Sequence, residues 1–467
     1  MDVYQAKSRL SRPSASWVFL RSFSRFCGSR PLALNDIITQ NAFCQSNSLT
    51  YYQLLGYNVK KFRMGNCMKH LVVLGDGMAD YKLDSLGGLT PIEKANTPNI
   101  DMLASKSQIG LVLTVPEGMK PGSDVANLSV IGYAPDRYYT GRSPLEALSI
   151  GVDMAIDDVA VRTNLVTLSD EPDLCNKTMV DYSAGEISTQ EAKELIFAVK
   201  EALSTSKYSF YAGVSYRHCL VIKEGTTATE LTPPHDISGK VIGEYLPHGE
   251  GAEALIDLIE RSGEILKNHP VNLKRISEGK NPATHVWFWG AGTKPRLDDF
   301  YEKYGLNGAI ISAVDLLKGI AKGSGMASPD VEGATGTLHT NWEGKIQAAI
   351  NCFEGGADYV YVHLEAPDEC GHQGDLEGKI KAIEKVDYVV GRLYDYLKDK
   401  GDFTIAVLPD HRTPIVRKTH TPEPVPYMIY KSWDHRDMGL KYTESDAQNG
   451  IYLADGQSII TTMLETI

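Results

Sequence analysis

Residues 359–364 read Tyr359-Val360-Tyr361-Val362-His363-Leu364, and residues 403–408 read Phe403-Thr404-Ile405-Ala406-Val407-Leu408. Continuous apolar runs of this length, without polar alternation, are the pattern of strands buried on both faces. Between them, Leu376 to Lys398 carries apolar residues at Ile380, Ile383, Val386, Val390, Leu393 and Leu397. That three-and-four spacing predicts an amphipathic helix. Strand, helix and strand in this order predict an α/β fold with a mainly parallel sheet flanked by helices. Two earlier runs fit the same sheet: Leu71-Val72-Val73-Leu74, ending in Gly75-Asp76-Gly77, and Ile109 to Val115, followed by a loop containing Pro and Gly.

The middle of the chain differs. From about Asp157 to Pro282 it has Ser- and Thr-rich strands and two helical patterns, near Gln190–Leu203 and Ala252–Lys267. A smaller α+β domain inserted over 156–299 is expected, splitting the core into 67–155 and 300–467. The beginning differs again. Up to Arg63 there are nine Lys and Arg against only Asp2 and Asp36. This reads as a transit peptide or as an upstream extension of a protein that starts at Met64 or Met68. Residues 1–66 are expected to lie outside the fold.

The whole chain has a net charge of −12, with no basic stripe for a nucleic acid. No apolar run is long enough to span a bilayer. The seven cysteines form no C-x-x-C pair and one is left over, which suits reduced thiols in the cytoplasm.

Three of the apolar runs end alike. The first leads into Asp76. The run at 359–364 leads into Asp368 and, four residues on, His372. The run at 403–408 leads into Asp410-His411. Open α/β sheets bind ligands beyond the carboxyl ends of their strands, so these side chains are expected at one edge, with His420 close enough to join them. Asp with His is a donor set for Zn²⁺ or Mn²⁺. A strand-terminal Asp alone is often only a helix cap, but three with three His nearby point to metal. Two neighbouring ions can clamp the attacking and leaving oxygens of a phosphoryl transfer. Ser123, in Pro121-Gly122-Ser123-Asp124, stands at a predicted helix start, where backbone N–H groups favour an anion. It is the candidate nucleophile, with its hydroxyl as a further metal ligand.

These residues resemble the alkaline phosphatase superfamily and, within it, the archaeal-type cofactor-independent phosphoglycerate mutases. The resemblance runs from about Lys69 to the C-terminus. It is carried by Gly75-Asp76-Gly77-Met78-Ala79-Asp80, Pro121 to Asn127, Gly141-Arg142-Ser143-Pro144-Leu145-Glu146-Ala147, Gly333-Ala334-Thr335-Gly336, Pro367 to Asp375 and Pro409 to Pro414. It implies an alkaline-phosphatase-like core and two divalent ions, Mn²⁺ or Zn²⁺, with Mg²⁺ as a third option. Asp76, Asp410 and His411 would hold one ion beside Ser123. Asp368, His372 and His420 would hold the other. The implied reaction is interconversion of 3- and 2-phosphoglycerate through a phosphoserine, without 2,3-bisphosphoglycerate, under a lid that excludes water.

For the substrate, Arg162 and Arg217 are the favoured lid cations, since Arg grips a carboxylate through paired hydrogen bonds. Lys318 falls where the family is expected to place a phosphate-facing lysine. Arg275, Lys294 and Arg296 rank lower, and His235 reads equally as a site residue or a loop brace. Glu186 stands where some relatives carry a basic or aromatic residue and Glu365 where a lysine is often found, a loss of positive charge near the expected pocket. Alternative readings are a homoserine kinase-like phosphotransferase or a metal-dependent phosphatase or phosphodiesterase. The chain lacks both a Walker loop and a sulfatase C/S-x-P-x-R motif at Ser123. Oligomeric state is not legible.

Overall fold

The structure, a computed structural model, describes residues 68–434 and 436–466. The N-terminal segment 1–66, with its two alternative readings, lies outside the described residues, as do Cys27, Cys44 and Cys67.

Two sheets organise the chain. The larger has seven strands: β1 (Lys69–Gly75), β2 (Ser107–Val112), β8 (Gly308–Ile311), β9 (Tyr359–Leu364), β10 (Phe403–Leu408), β11 (Val425–Lys431) and β12 (Ile451–Leu453), in the order β12-β2-β11-β10-β1-β9-β8. The smaller contains β3 (Val159–Leu168), β4 (Met179–Asp181), β5 (Tyr208–Val214), β6 (Arg217–Ile222) and β7 (His285–Thr293). The helices used below are α1 (Ser123–Ile131), α2 (Arg142–Ser149), α3 (Thr189–Leu203), α4 (Ala252–Leu266), α5 (Asp315–Gly323), α6 (Trp342–Glu354), α7 (Ala366–Gln373) and α8 (Leu376–Leu397).

The large sheet is mostly parallel. Only β11 runs against its neighbours, β10 and β2. Every residue of β9 and β10 is buried, as continuous apolar strands require. Between them α8 starts at Asp375, whose side chain accepts from the Gly378 N–H. Its buried stripe includes Ile383, Val386, Val390, Leu393 and Leu397, but the first turn buries Lys379 where the spacing pointed to Ile380. Lys379 is inside because its ammonium meets Asp80 at 2.8 Å, and a buried charge needs such a partner.

One hydrophobic core draws on residues from Leu71 to Leu145 and from Phe300 to Met463. A second lies wholly between Val159 and Phe288, where α3 and α4 cover the small sheet. For function, the decisive feature is the central trio of the large sheet. Adjacent parallel strands β10, β1 and β9 end together, in register Leu408↔Leu74↔His363, and deliver the loops after them to one edge.

Candidate metal centre and substrate cleft

Asp76 comes directly after β1, and its N–H is tied to the Leu364 carbonyl at the end of β9 (3.0 Å). Gly77 next to it has φ +59°. A Cβ there would stand 2.5 Å from the Asp368 carboxylate, so only glycine lets the turn pass this close. Asp410 comes after β10. One of its oxygens accepts from the Gly77 N–H (3.1 Å) and the His411 N–H (2.9 Å), the other from Asn127 Nδ2 (2.8 Å). The same amide nitrogen of Asn127 donates to the Ser123 carbonyl (2.9 Å), and Tyr361 OH donates to Asn127 Oδ1 (2.6 Å). Asn127 thereby locks the start of α1 onto Asp410. Ser123 Oγ lies 3.2 Å from His411 Nε2.

Asp368 and His372 sit four apart on α7, on one helix face. His372 Nε2 is 3.2 Å from Asp368 and 2.9 Å from His420 Nε2, and His420 Nε2 is 3.4 Å from Asp368. Lys418 adopts a left-handed φ of +55°, turning the loop so that its carbonyl accepts from His372 Nδ1 (3.0 Å). Two triads therefore form, Asp76–Asp410–His411 and Asp368–His372–His420, each with ligand atoms within 4.8 Å of one another.

The donor chemistry fits divalent cations. Thr413 Oγ1 bonds to Asp368, which only accepts, and therefore receives the His411 Nδ1 proton (3.2 Å). With the Nδ1 of His411 on Thr413 and that of His372 on the Lys418 carbonyl, both rings turn Nε2 toward the centre, the nitrogen that a metal would take. Asp76 Oδ1 is buried without a hydrogen-bond partner. Burial, with the charges of Asp410 and Asp368, pushes the Asp76 carboxyl well above the usual range, a cost that a cation would reverse. Burial opposes ionisation of Asp368 too, but the hydrogen bonds to His372 and His420 hold it well below normal.

Behind Asp76 stands a buried chain that the sequence reading missed. His363 lies 3.1 Å from Asp76 and 3.2 Å from Glu365. Burial disfavours the imidazolium, yet these two carboxylates raise the His363 pKa to about 10. Glu365 also accepts from Ser312 Oγ (3.0 Å) and the Ala313 N–H (2.9 Å), and pairs with fully buried Lys345. Glu365 is thus neutralised internally by Lys345 and is not among the residues lining the cleft described below. Glu186 is exposed, at φ +50°.

A cleft of about 230 Å³ lies between the large sheet's loops and the small sheet, with Arg142, Glu146, Arg162, Arg217, Asp315 and Glu369 in its walls. Arg162 and Arg217 are both there, and the Arg162 guanidinium stacks 4.1 Å from the Trp289 ring centroid. Lys318 is not in these walls. It extends from α5 to Asp330 (2.6 Å). Arg275 is bound to Glu191 (2.9 Å) and the Ala184 carbonyl (2.6 Å), and Lys294 to the Met154 carbonyl (2.7 Å). Arg296 is exposed. His235 packs edge-on against Trp289, 5.1 Å between centroids, a bracing contact behind Arg162.

Two family models match the chain: 2,3-bisphosphoglycerate-independent phosphoglycerate mutase over residues 104–272, and type I phosphodiesterase / nucleotide pyrophosphatase over residues 253–448. A 2,3-bisphosphoglycerate-independent phosphoglycerate mutase of Methanosarcina barkeri is 49% identical over 387 residues, covering 82% of this chain and 96% of the relative. The chain belongs to the 2,3-bisphosphoglycerate-independent phosphoglycerate mutase family. Among solved structures, the cofactor-independent phosphoglycerate mutase of Thermoplasma acidophilum aligns with a TM-score of 0.59 at 25% identity, covering 86% of this chain and 99% of that one. A protein of Pyrococcus horikoshii aligns with a TM-score of 0.72 at 28% identity, over 86% and 97% of the two chains. Within this mutase-family chain, the first matched segment holds Ser123, Arg142, Glu146, Arg162 and Arg217. The second holds His363, His411 and the whole Asp368–His372–His420 triad.

Proposed function

We propose that this chain interconverts 3-phosphoglycerate and 2-phosphoglycerate through a phosphoserine at Ser123, with two divalent ions and without 2,3-bisphosphoglycerate. Family membership supports the reaction, and the observation that carries the site is the contact of Ser123 with His411 of one Asp/His triad, whose ring lies 3.9 Å from that of His420 in the other. Asp76, Asp410 and His411, with the Ser123 hydroxyl, would hold one ion, Mn²⁺ or Zn²⁺. Asp368, His372 and His420 would hold the other. Bound there, the ions supply Lewis acidity that lowers the hydroxyl pKa and neutralises phosphoryl charge.

The chain's own groups do the rest. Ser123 Oγ forms the new bond to phosphorus as the substrate's O–P bond breaks, and the departing alkoxide takes up the serine proton. The N-terminus of α1, where Ser123 stands, would present backbone N–H groups to the phosphoryl oxygens. Glycerate reorients, its other hydroxyl takes the phosphoryl group back, and the proton returns to Ser123. Arg162 and Arg217 grip the carboxylate throughout. The body built on the small sheet, about 156–299, acts as the lid that keeps water from the phosphoserine.

Among the described residues no helix is long and apolar enough to cross a membrane, and Cys175, Cys219, Cys352 and Cys370 are free thiols. Both features support reading the protein as cytoplasmic. An enolase-coupled assay with 3-phosphoglycerate and Mn²⁺, omitting 2,3-bisphosphoglycerate, tests the function. Turnover in the unaltered chain and none in Ser123→Ala is expected. A folded, metal-loaded chain without turnover overturns the reading.

A further inference from the structure

We infer that Arg142 is a further substrate-gripping residue of this cleft, and that Glu146 is the positioning residue that presents Arg142 and Arg162 to the substrate together. The inference rests on the mutase reading and adds two residues to it.

Arg142 opens α2, directly after Gly141. Gly141 has φ +125°, and a Cβ there would meet the Ala291 carbonyl at 3.0 Å and Gly292 Cα at 3.2 Å. The segment therefore lies flush against the end of β7, and Thr140 Oγ1 fastens it there by donating to the Thr293 carbonyl (2.6 Å). The backbone of Arg142 is fixed where the large-sheet loops meet the small sheet.

Its side chain is only partly used. Nε donates to Glu146 Oε1 (2.9 Å), and Nη1 and Nη2 have no hydrogen-bond partner among the described residues. Arg142 lines the cleft, and Asp124, the neighbour of Ser123, lies within electrostatic reach of its guanidinium. A guanidinium held at one edge, with its two terminal nitrogens open to the cleft, is a fork suited to carboxylate or phosphate oxygens.

Glu146 sets the direction of that fork. Its Oε1 also accepts from Arg162 Nη2 (2.9 Å), and its Oε2 lies 2.8 Å from Arg162 Nε. One carboxylate, one turn along α2 from Arg142, thus aligns a cation of α2 with a cation of β3. Burial opposes its charge, but the two guanidiniums outweigh this and keep Glu146 ionised. With one carboxylate shared between two guanidiniums, the cluster keeps one positive charge in excess, and Arg217 adds another. Asp315 and Glu369 also line the cleft.

The test is steady-state kinetics of Arg142→Gln, Arg142→Lys, Glu146→Gln and the double variant Arg142→Gln/Glu146→Gln, each with its melting temperature. A lost charged fork is expected to raise KM for 3-phosphoglycerate roughly 10- to 100-fold. Glu146→Gln should raise KM although it touches no substrate, and the double variant should fall short of the product of the single effects. Arg142→Lys, which keeps the charge without the fork, should lie between the unaltered chain and Arg142→Gln. An unchanged KM in Arg142→Gln overturns the inference, as does a KM rise in step with a lost melting temperature. If Arg142→Gln does not fold, Arg142→Lys decides, and a KM equal to that of the unaltered chain sinks the idea. Without turnover in the unaltered chain both readings fall, whereas with it only the variants bear on this one.

Discussion

Replacing Lys379 by Met should unfasten the loops that carry the proposed metal ligands. Lys379 is fully buried, and each ammonium proton has an acceptor: Asp80 Oδ2 at 2.8 Å, the Thr413 carbonyl at 2.8 Å and the Ala79 carbonyl at 3.4 Å. Asp80, equally buried, also accepts from the Tyr81 N–H (2.7 Å) and the Ile415 N–H (3.1 Å). Met fills nearly the same volume, so the loss is electrostatic and not a cavity. It leaves a buried carboxylate without a counter-charge, which costs about 3–5 kcal/mol. With an unfolding entropy of about 0.8 kcal/mol/K for the Asn66–Ile467 unit, the melting temperature should drop by about 4–6 °C. Calorimetry on the metal-free chain measures this. The double variant Lys379→Met/Asp80→Asn should recover part of the loss, since no charge then remains unpaired. A drop below about 1 °C in the single variant, or a double variant as unstable as the two losses summed, would refute the reasoning.

Gly77→Ala should strike the proposed metal centre harder than the fold, because its Cβ would come within 2.5 Å of both Thr413 Oγ1 and the Asp368 carboxylate. Elemental analysis should find fewer bound ions per chain than in the unaltered protein. Chelation should abolish turnover and lower the melting temperature, since an ion held at 100 times its Kd contributes about 2.7 kcal/mol, and Mn²⁺ should restore both. In the metal-free chain, the hydrogen bond to Asp368 raises the His372 pKa from 6.5 to about 9. A raised folded-state value means that this pairing stabilises fully below about pH 6.5 and is lost as pH climbs through about 9. Metal-free melting temperatures should therefore fall across that window. Metal affinity should rise across it, because the ion displaces the proton. A flat melting profile would count against the assignment.

The sequence disclosed the parts of the site that lie just past strand ends. Asp76, Asp368 and Asp410 each come after a continuous apolar run, His372 shares a helix face with Asp368, and they gather in two neighbouring triads. Ser123 was readable only because its helix start follows a strand and its surroundings resemble the family; Pro-Gly-Ser-Asp alone reads as a plain helix cap. Support for these groups was not readable. Lys345 lies on α6, and no periodicity says that a lysine turns inward toward a carboxylate 20 residues away. The same blindness placed Ile380 in the α8 stripe where Lys379 is buried. Arg142 and Glu146 were visible as a four-residue spacing on α2, but that pattern is common on solvated helices. Only the arrival of Arg162 from another sheet marks it out. Lys318 was placed by resemblance alone, and on α5 its ammonium pairs with Asp330.

The order β10-β1-β9 has a consequence for how this chain comes into being. β1 is among the first pieces of the fold to leave the ribosome, yet both of its neighbours are made near the end. The hydrogen bond from Gly77 to Asp410 joins residues 333 positions apart. Until β9 and β10 emerge, Asp76 has neither Asp410 beside it nor His363 behind it, and β1 must wait as an unpaired apolar strand. Such distant pairings make folding slow and the waiting strand prone to aggregation. The nascent chain therefore cannot acquire its metal centre early. The ions would select the finished sheet, so that the last step of folding and the first moment of activity coincide.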